Sequence, residues 1–167
     1  MVYKFLKKVS VLYLVTVIAM LQMVCLPESS KEIEDARNAD NKKKELKIKL
    51  EEKRSNCINN LKQTKDVSEN IKRGLDVQLD EETKNKRITG ICIEFLKAYY
   101  IPYLQVKKEY FAHMAKYEED ILERKEYKDG LEHHKAYIRS VEILLQKKNS
   151  YNGLDNNKVY EFVKGLS

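Results

Sequence analysis

Three histidines, three cysteines and eleven tyrosines are the residues of this 167-residue chain whose types suit chemistry. Glu132-His133-His134 places two imidazoles beside a carboxylate. Adjacent residues on a helix point about 100° apart, so the two rings do not easily share one tetrahedral metal. There is no His-Glu-x-x-His and no Cys-x-x-Cys, and His113 and His134 stand at unequal distances from the turn expected at Asp129. No metal site and no cofactor is expected, with His133 exposed and His134 packed or half-buried. Carboxylates are abundant, but Glu69/Arg73, Glu82/Lys86 and Asp120/Arg124 have the four-residue spacing of helix-supporting ion pairs. They describe solvated faces rather than a general acid–base dyad. A Gly-x-Ser-x-Gly elbow, a phosphate loop and a dinucleotide fingerprint are all missing from the sequence, and Asp155-Asn156-Asn157 lacks the glycine and distal glutamate of a calcium loop. No catalytic residue is expected, and the chain is not expected to be an enzyme.

The tyrosines are the more unusual feature. Tyr99, Tyr100, Tyr103, Tyr110 and Tyr117 gather around Pro102 and the segment after it, the last three at seven-residue intervals. Tyrosine joins a large apolar ring to a polar tip, which suits a partner surface or a half-wet groove. The competing expectation is a core seam whose hydroxyls reach the solvent edge. A proline-induced kink here would open a small apolar pocket, the form a small-ligand carrier would take.

Cys57 and Cys92 form an even pair once Cys25 is assigned to the segment before the body. In an exported chain such a pair is expected to form a disulfide, worth roughly 4 kcal/mol in the chain-entropy model. Two buried free thiols are the alternative.

Export is expected from the amino end. Residues 1–8 carry Lys4, Lys7 and Lys8 and no acid, residues 9–26 carry no charge, and the chain turns abruptly polar after Pro27. A basic start, an apolar stretch and a polar flank describe a signal peptide over residues 1–26, with cleavage after Ala19 or Cys25. Retained, the same 18 uncharged residues are just long enough to anchor the chain in a bilayer with its body outside. With the three lysines set aside the body holds 29 bases against 26 acids. No strongly one-signed surface follows, and a nucleic-acid partner is not expected.

The elements that must position these residues are helical. Five glycines, two prolines and a charged fraction of 35% argue against sandwiches and Gly-rich nucleotide folds. Residues 27–43 describe a polar tether or weak helix. From Leu46 through Leu50, Cys57, Leu61, Thr64, Ile71 and Leu75 the apolar residues fall at three- and four-residue steps, predicting a long helix over 43–79 that Gly74 ends early or bends. Asp80 followed by Glu81-Glu82 starts a second helix, interrupted near Tyr99–Ile101 by Pro102 and resumed along Tyr103, Val106, Tyr110, His113, Tyr117 and Ile121, with Phe111, Met114 and Leu122 widening the stripe. Asp129-Gly130-Leu131-Glu132 is expected to turn the chain into a third helix, reaching about Lys148, and Asp155 to cap a short last one. The predicted fold is all-α: an up-and-down bundle (44–167) of three long helices, one kinked near Pro102, plus a short C-terminal helix, behind an N-terminal signal segment.

The expected function is that of a secreted helical protein, of effector, salivary or surface type, that binds an extracellular protein partner. The alternatives are a membrane-tethered surface protein that keeps residues 9–26, and a carrier of a small apolar ligand.

Overall fold

The computed structural model describes the backbone of residues 2–74, 79–147 and 156–167, and the side chains of residues 30–74, 79–146 and 158–167. The side chains of the expected signal or anchor, and the Asp155 cap, lie outside the residues so described. The fold is all-α. The helices are α1 (Val2–Arg73), α2 (Glu81–Phe95), α3 (Ile101–Tyr117), α4 (Ile121–Lys147) and α5 (Asn156–Gly165), with a five-residue π segment (Leu96–Tyr100) joining α2 to α3. The chain divides into two compact units, residues 1–42 and 43–167. In the first, α1 is helical throughout 30–42 and almost every side chain there is exposed. The second contains the core.

Local chemistry explains where the helices begin and end. Gly74 adopts φ +67° and its N–H reaches the Ile71 carbonyl, closing α1 with the left-handed residue that only glycine takes without strain. Asp80 caps α2: one carboxylate oxygen accepts from the Thr83 N–H at 2.9 Å and the other from the Thr83 hydroxyl at 2.7 Å. The acids of that first turn, Glu81 and Glu82, face the positive end of the helix dipole.

Pro102 interrupts the second helix without ending it. Proline lacks an N–H, and its ring collides with the carbonyl four residues back in a regular α-helix. Just before it the Ile101 N–H bonds to the Leu96 carbonyl, five residues back, while Tyr100 and Ile101 keep right-handed helical dihedrals. The widened turn absorbs the proline. It also shifts the phase of every later side chain by about one residue, roughly 100° around the axis. The expected stripe is therefore kept only in part: Val106 and Met114 are buried and Tyr103 packs against the core, Tyr117 and Ile121 are exposed, and Leu104 and Ala115 join the buried set.

The turn into the next helix also differs from expectation. It falls at Glu118–Asp120: Glu118 is extended (ψ 130°), and one Asp120 oxygen accepts from the Leu122 and Glu123 N–H groups at 2.8 and 2.9 Å. Asp129-Gly130 is no turn, because α4 runs straight through it. Gly130 serves close packing instead. A Cβ built there would meet the Phe111 ring at 2.5 Å, and that ring is stacked on His134 and held edge-on by Tyr127.

Two antiparallel seams organise the second unit. Along α1 and the α2–α3 run, Lys43 pairs with Glu118, Lys49 with Glu109, and Ile71 packs in one cluster with Ile88. Along α3 and α4, Tyr110 meets Tyr127, Phe111 meets His134, and Leu104 packs with Ile138 and Val141. Helix α5 closes the core with Val159, Tyr160 and Val163 against Cys57, Ile71, Cys92, Phe95 and Leu96. Its Tyr160 hydroxyl donates to Glu69 on α1 at 2.7 Å. Burying Phe95 and Leu96 completely contributes ~1.5–3 kcal/mol each.

Two of the helical glycines, Gly130 and Gly90, give opposite expectations. Gly130→Ala should destabilise the bundle by ~1–3 kcal/mol through overpacking on Phe111. Gly90→Ala, where an added Cβ meets nothing within 4 Å, should stabilise it by up to ~1 kcal/mol. Urea unfolding followed by circular dichroism measures both.

Candidate functional site

A groove of about 720 Å³ lies where three helices and the C-terminal residues meet. Helix α1 contributes Arg54, Cys57, Ile58 and Leu61, and the π segment with α3 contributes Tyr100, Tyr103, Leu104 and Lys107. Each set steps by three or four residues and so occupies one helix face. Helix α4 adds His133, His134 and Tyr137, and residues 165–167 close one end. The site is open to solvent: Ile58 is 51% and Tyr137 38% exposed.

The groove's apolar floor carries a pair of phenols. The Tyr100 and Tyr137 hydroxyls lie 2.9 Å apart, and the Tyr100 ring stacks on Phe95 and meets Phe162 edge-on. Burial, then the Tyr137 hydrogen bond, pushes the Tyr100 phenol well above the usual tyrosine range. Burial also raises Tyr103. Both phenols stay protonated at neutral pH, as hydrogen-bond partners rather than bases. At the edges stand two cations. Arg54 is paired loosely with Glu51 of its own helix at 3.7 Å, and Lys107 lies 5.9 Å from the Phe111 ring centre.

The five tyrosines singled out in the sequence do not form one surface. Tyr100 and Tyr103 line the groove. Tyr99 stacks on Phe95 and is partly exposed. Tyr110 belongs to an aromatic cluster with Phe111 and Tyr127. Tyr117 sits at the α3–α4 turn, where Ile121 and Leu122 are 78% and 75% exposed. Arg54, Lys107 and Tyr137 are lining residues that the tyrosine pattern missed. The signal for Arg54 and Lys107 was present as a cation one turn from an apolar pair, Arg54-x-x-Cys57-Ile58 and Tyr103-Leu104-x-x-Lys107.

The cysteines correct the expected disulfide. Cys57 and Cys92 are both free and buried, and both belong to the main apolar cluster. Burial pushes the Cys57 thiol up to about 11 and raises Cys92 as well. Neither is the exposed thiolate that a reactive cysteine requires. A smaller pocket of about 200 Å³ beside Cys92 is lined by Lys65, Ser68, Glu69 and Tyr160. The Ser68 hydroxyl is buried there beside the Cys92 thiol, and its hydrogen bond partly offsets the effect of burial on that thiol.

His134 is half-buried and stacked on Phe111 at 4.8 Å, while His133 is exposed. Desolvation, then the nearby Lys107 charge, holds the His134 imidazole below its ordinary range. Among the described residues no three of His, Cys, Asp and Glu converge as metal ligands, and no helix is long and apolar enough to cross a membrane. Comparison with known protein families, curated proteins and solved structures finds no match for this chain.

Two measurements follow from these environments. Alkylation of the native protein should leave Cys57 and Cys92 unmodified, and both should react after unfolding without reductant; peptide mass mapping reads the result. The His134 shift carries a definite sign. Its folded pKa lies below the unfolded value of 6.5, so its contribution is fully present above pH 6.5 and is lost as pH falls below it. His134→Phe should shrink the drop in urea midpoint between pH 7.5 and pH 5.5, relative to the unsubstituted protein.

Proposed function

We propose that this chain is a secreted, non-catalytic helical protein that binds an extracellular protein partner, and that the groove over the π segment is the binding site. The groove itself carries this reading. It combines tyrosine rings, an arginine and exposed aliphatic carbons on one open face, and Tyr and Arg are residues in which binding energy concentrates. The carrier alternative calls for an enclosed apolar cavity near Pro102. The groove lies beside Pro102 but is open, which suits a segment of a macromolecule better than a sequestered small molecule. A binding role also fits the state of the reactive groups, since the thiols are buried and the groove phenols are held neutral. Export is supported by the basic residues 1–8, the uncharged residues 9–26 and the polar flank after Pro27.

Expression in a secreting host tests both halves. The product should enter the medium with a mass starting near residue 20 or 26. Cross-linking in extracellular fluid should give an adduct that Tyr103→Ala loses and that Ile48→Ala, an exposed position outside the groove, retains. Full-length protein recovered only from membranes would make residues 9–26 an anchor. An adduct insensitive to Tyr103→Ala would move the binding site elsewhere.

A further inference from the structure

The charge pattern along the α1–α3 seam is broken at the groove. Nearer the α3–α4 turn, two cations of α1 meet acids across the seam: Lys43 and Glu118 at 3.2 Å, Lys49 and Glu109 at 3.8 Å. At the next level Arg54 and Lys107 both border the groove, and no Asp or Glu side chain is among its lining residues. Arg54's one ion-pair partner, Glu51 of its own helix at 3.7 Å, stands outside the lining, so two like charges flanking an apolar floor favour an anion placed between them. The floor asks for apolar carbons, and Ile58, Leu61, Leu104 and the Tyr103 ring supply the complementary surface. The walls are themselves helices whose side chains step by three and four, so a further helix can pack there as an added member of the bundle.

We infer that the groove takes an amphipathic acidic helix of a protein partner, with apolar residues on Ile58, Leu61, Leu104 and Tyr103 and carboxylates set between Arg54 and Lys107. This rests on the binding role proposed above. The phenol pair Tyr100–Tyr137 offers a spare hydroxyl hydrogen to the same segment, because only one of the two protons is used between them. Charge at such an open rim sets selectivity and the rate of encounter more than total affinity.

The test uses the full chain and two fluorescein-labelled amphipathic helical peptides of equal length, one built of Leu and Glu, the other of Leu and Lys. Binding is read by anisotropy at low and high salt. The Leu–Glu peptide should bind about tenfold tighter than the Leu–Lys peptide at low salt, with the margin narrowing as salt rises. Arg54→Glu combined with Lys107→Glu should invert that preference. Both positions lie at the rim, and circular dichroism checks that the doubly substituted bundle keeps its helix content. Equal binding of both peptides, lost in Tyr103→Ala, would overturn the acidic specificity and leave the groove as a binding site. Binding of neither peptide, or binding unaffected by Tyr103→Ala, would overturn the groove's role as well. Dodecanoate binding in place of either peptide would overturn the protein partner and return the site to a small-amphiphile carrier.

Discussion

Proline 102 carries no N–H and cannot tolerate a carbonyl four residues behind it at α-helical distance, yet it stands in the middle of the longest run of core-forming residues in the bundle. The chain meets this by widening one turn. The bond from the Ile101 N–H to the Leu96 carbonyl skips a residue, and the helix passes the proline with its dihedrals in the α region. One extra residue in a turn rotates all that follows. Leu104 thereby joins Ile138 and Val141 in the core, and Tyr100 and Tyr103 come to face α1 and the groove.

The second seam depends on the absence of a single atom. Helices α3 and α4 approach closely because Gly130 has no Cβ to strike the Phe111 ring, which Tyr127 and His134 hold in place. A glycine beside an aspartate reads locally as a turn, and its neighbours Asp129 and Glu132 strengthen that impression. The turn lies instead at Glu118–Asp120, where an aspartate with an acid three residues on caps α4. Both glycine roles use the same property, the missing side chain. Gly74, with its positive φ, ends a helix by conformation, and Gly130 joins two helices by proximity.

Much of the charge on this protein is placed by the same seams. Glu82 pairs with Lys86 along its own helix, as the four-residue spacing predicted. Glu69 accepts a hydrogen bond from Tyr160 of α5, and Arg124 reaches back to the carbonyls of the α3–α4 turn. These partners lie across helices or turns, so spacing within one helix did not reveal them. Arg54 and Lys107 belong to the same class: each is an ordinary surface cation in sequence, and only the antiparallel register puts them on one groove.

Helix content, the Asp80 cap, the end of the first core helix at Gly74 and the interruption before Pro102 were all legible in the sequence, because each depends on residues within four or five positions of one another. The face α3 turns to the core was legible only in part, in Tyr103, Val106 and Met114 but not in Leu104, since a π turn changes phase without changing composition. The role of Gly130 was hidden for a similar reason: its partner, Phe111, is on another helix. Cys57 and Cys92 illustrate the boundary most directly. Their apolar spacing correctly placed them on inward faces, but whether they bond depends on the geometry of two helices packed in one cluster, and there both thiols are free. Local hydrogen bonding and periodicity determined the elements. The register of one helix against the next, set by side-chain volume at contacts far apart in the chain, decided the groove and everything that lines it.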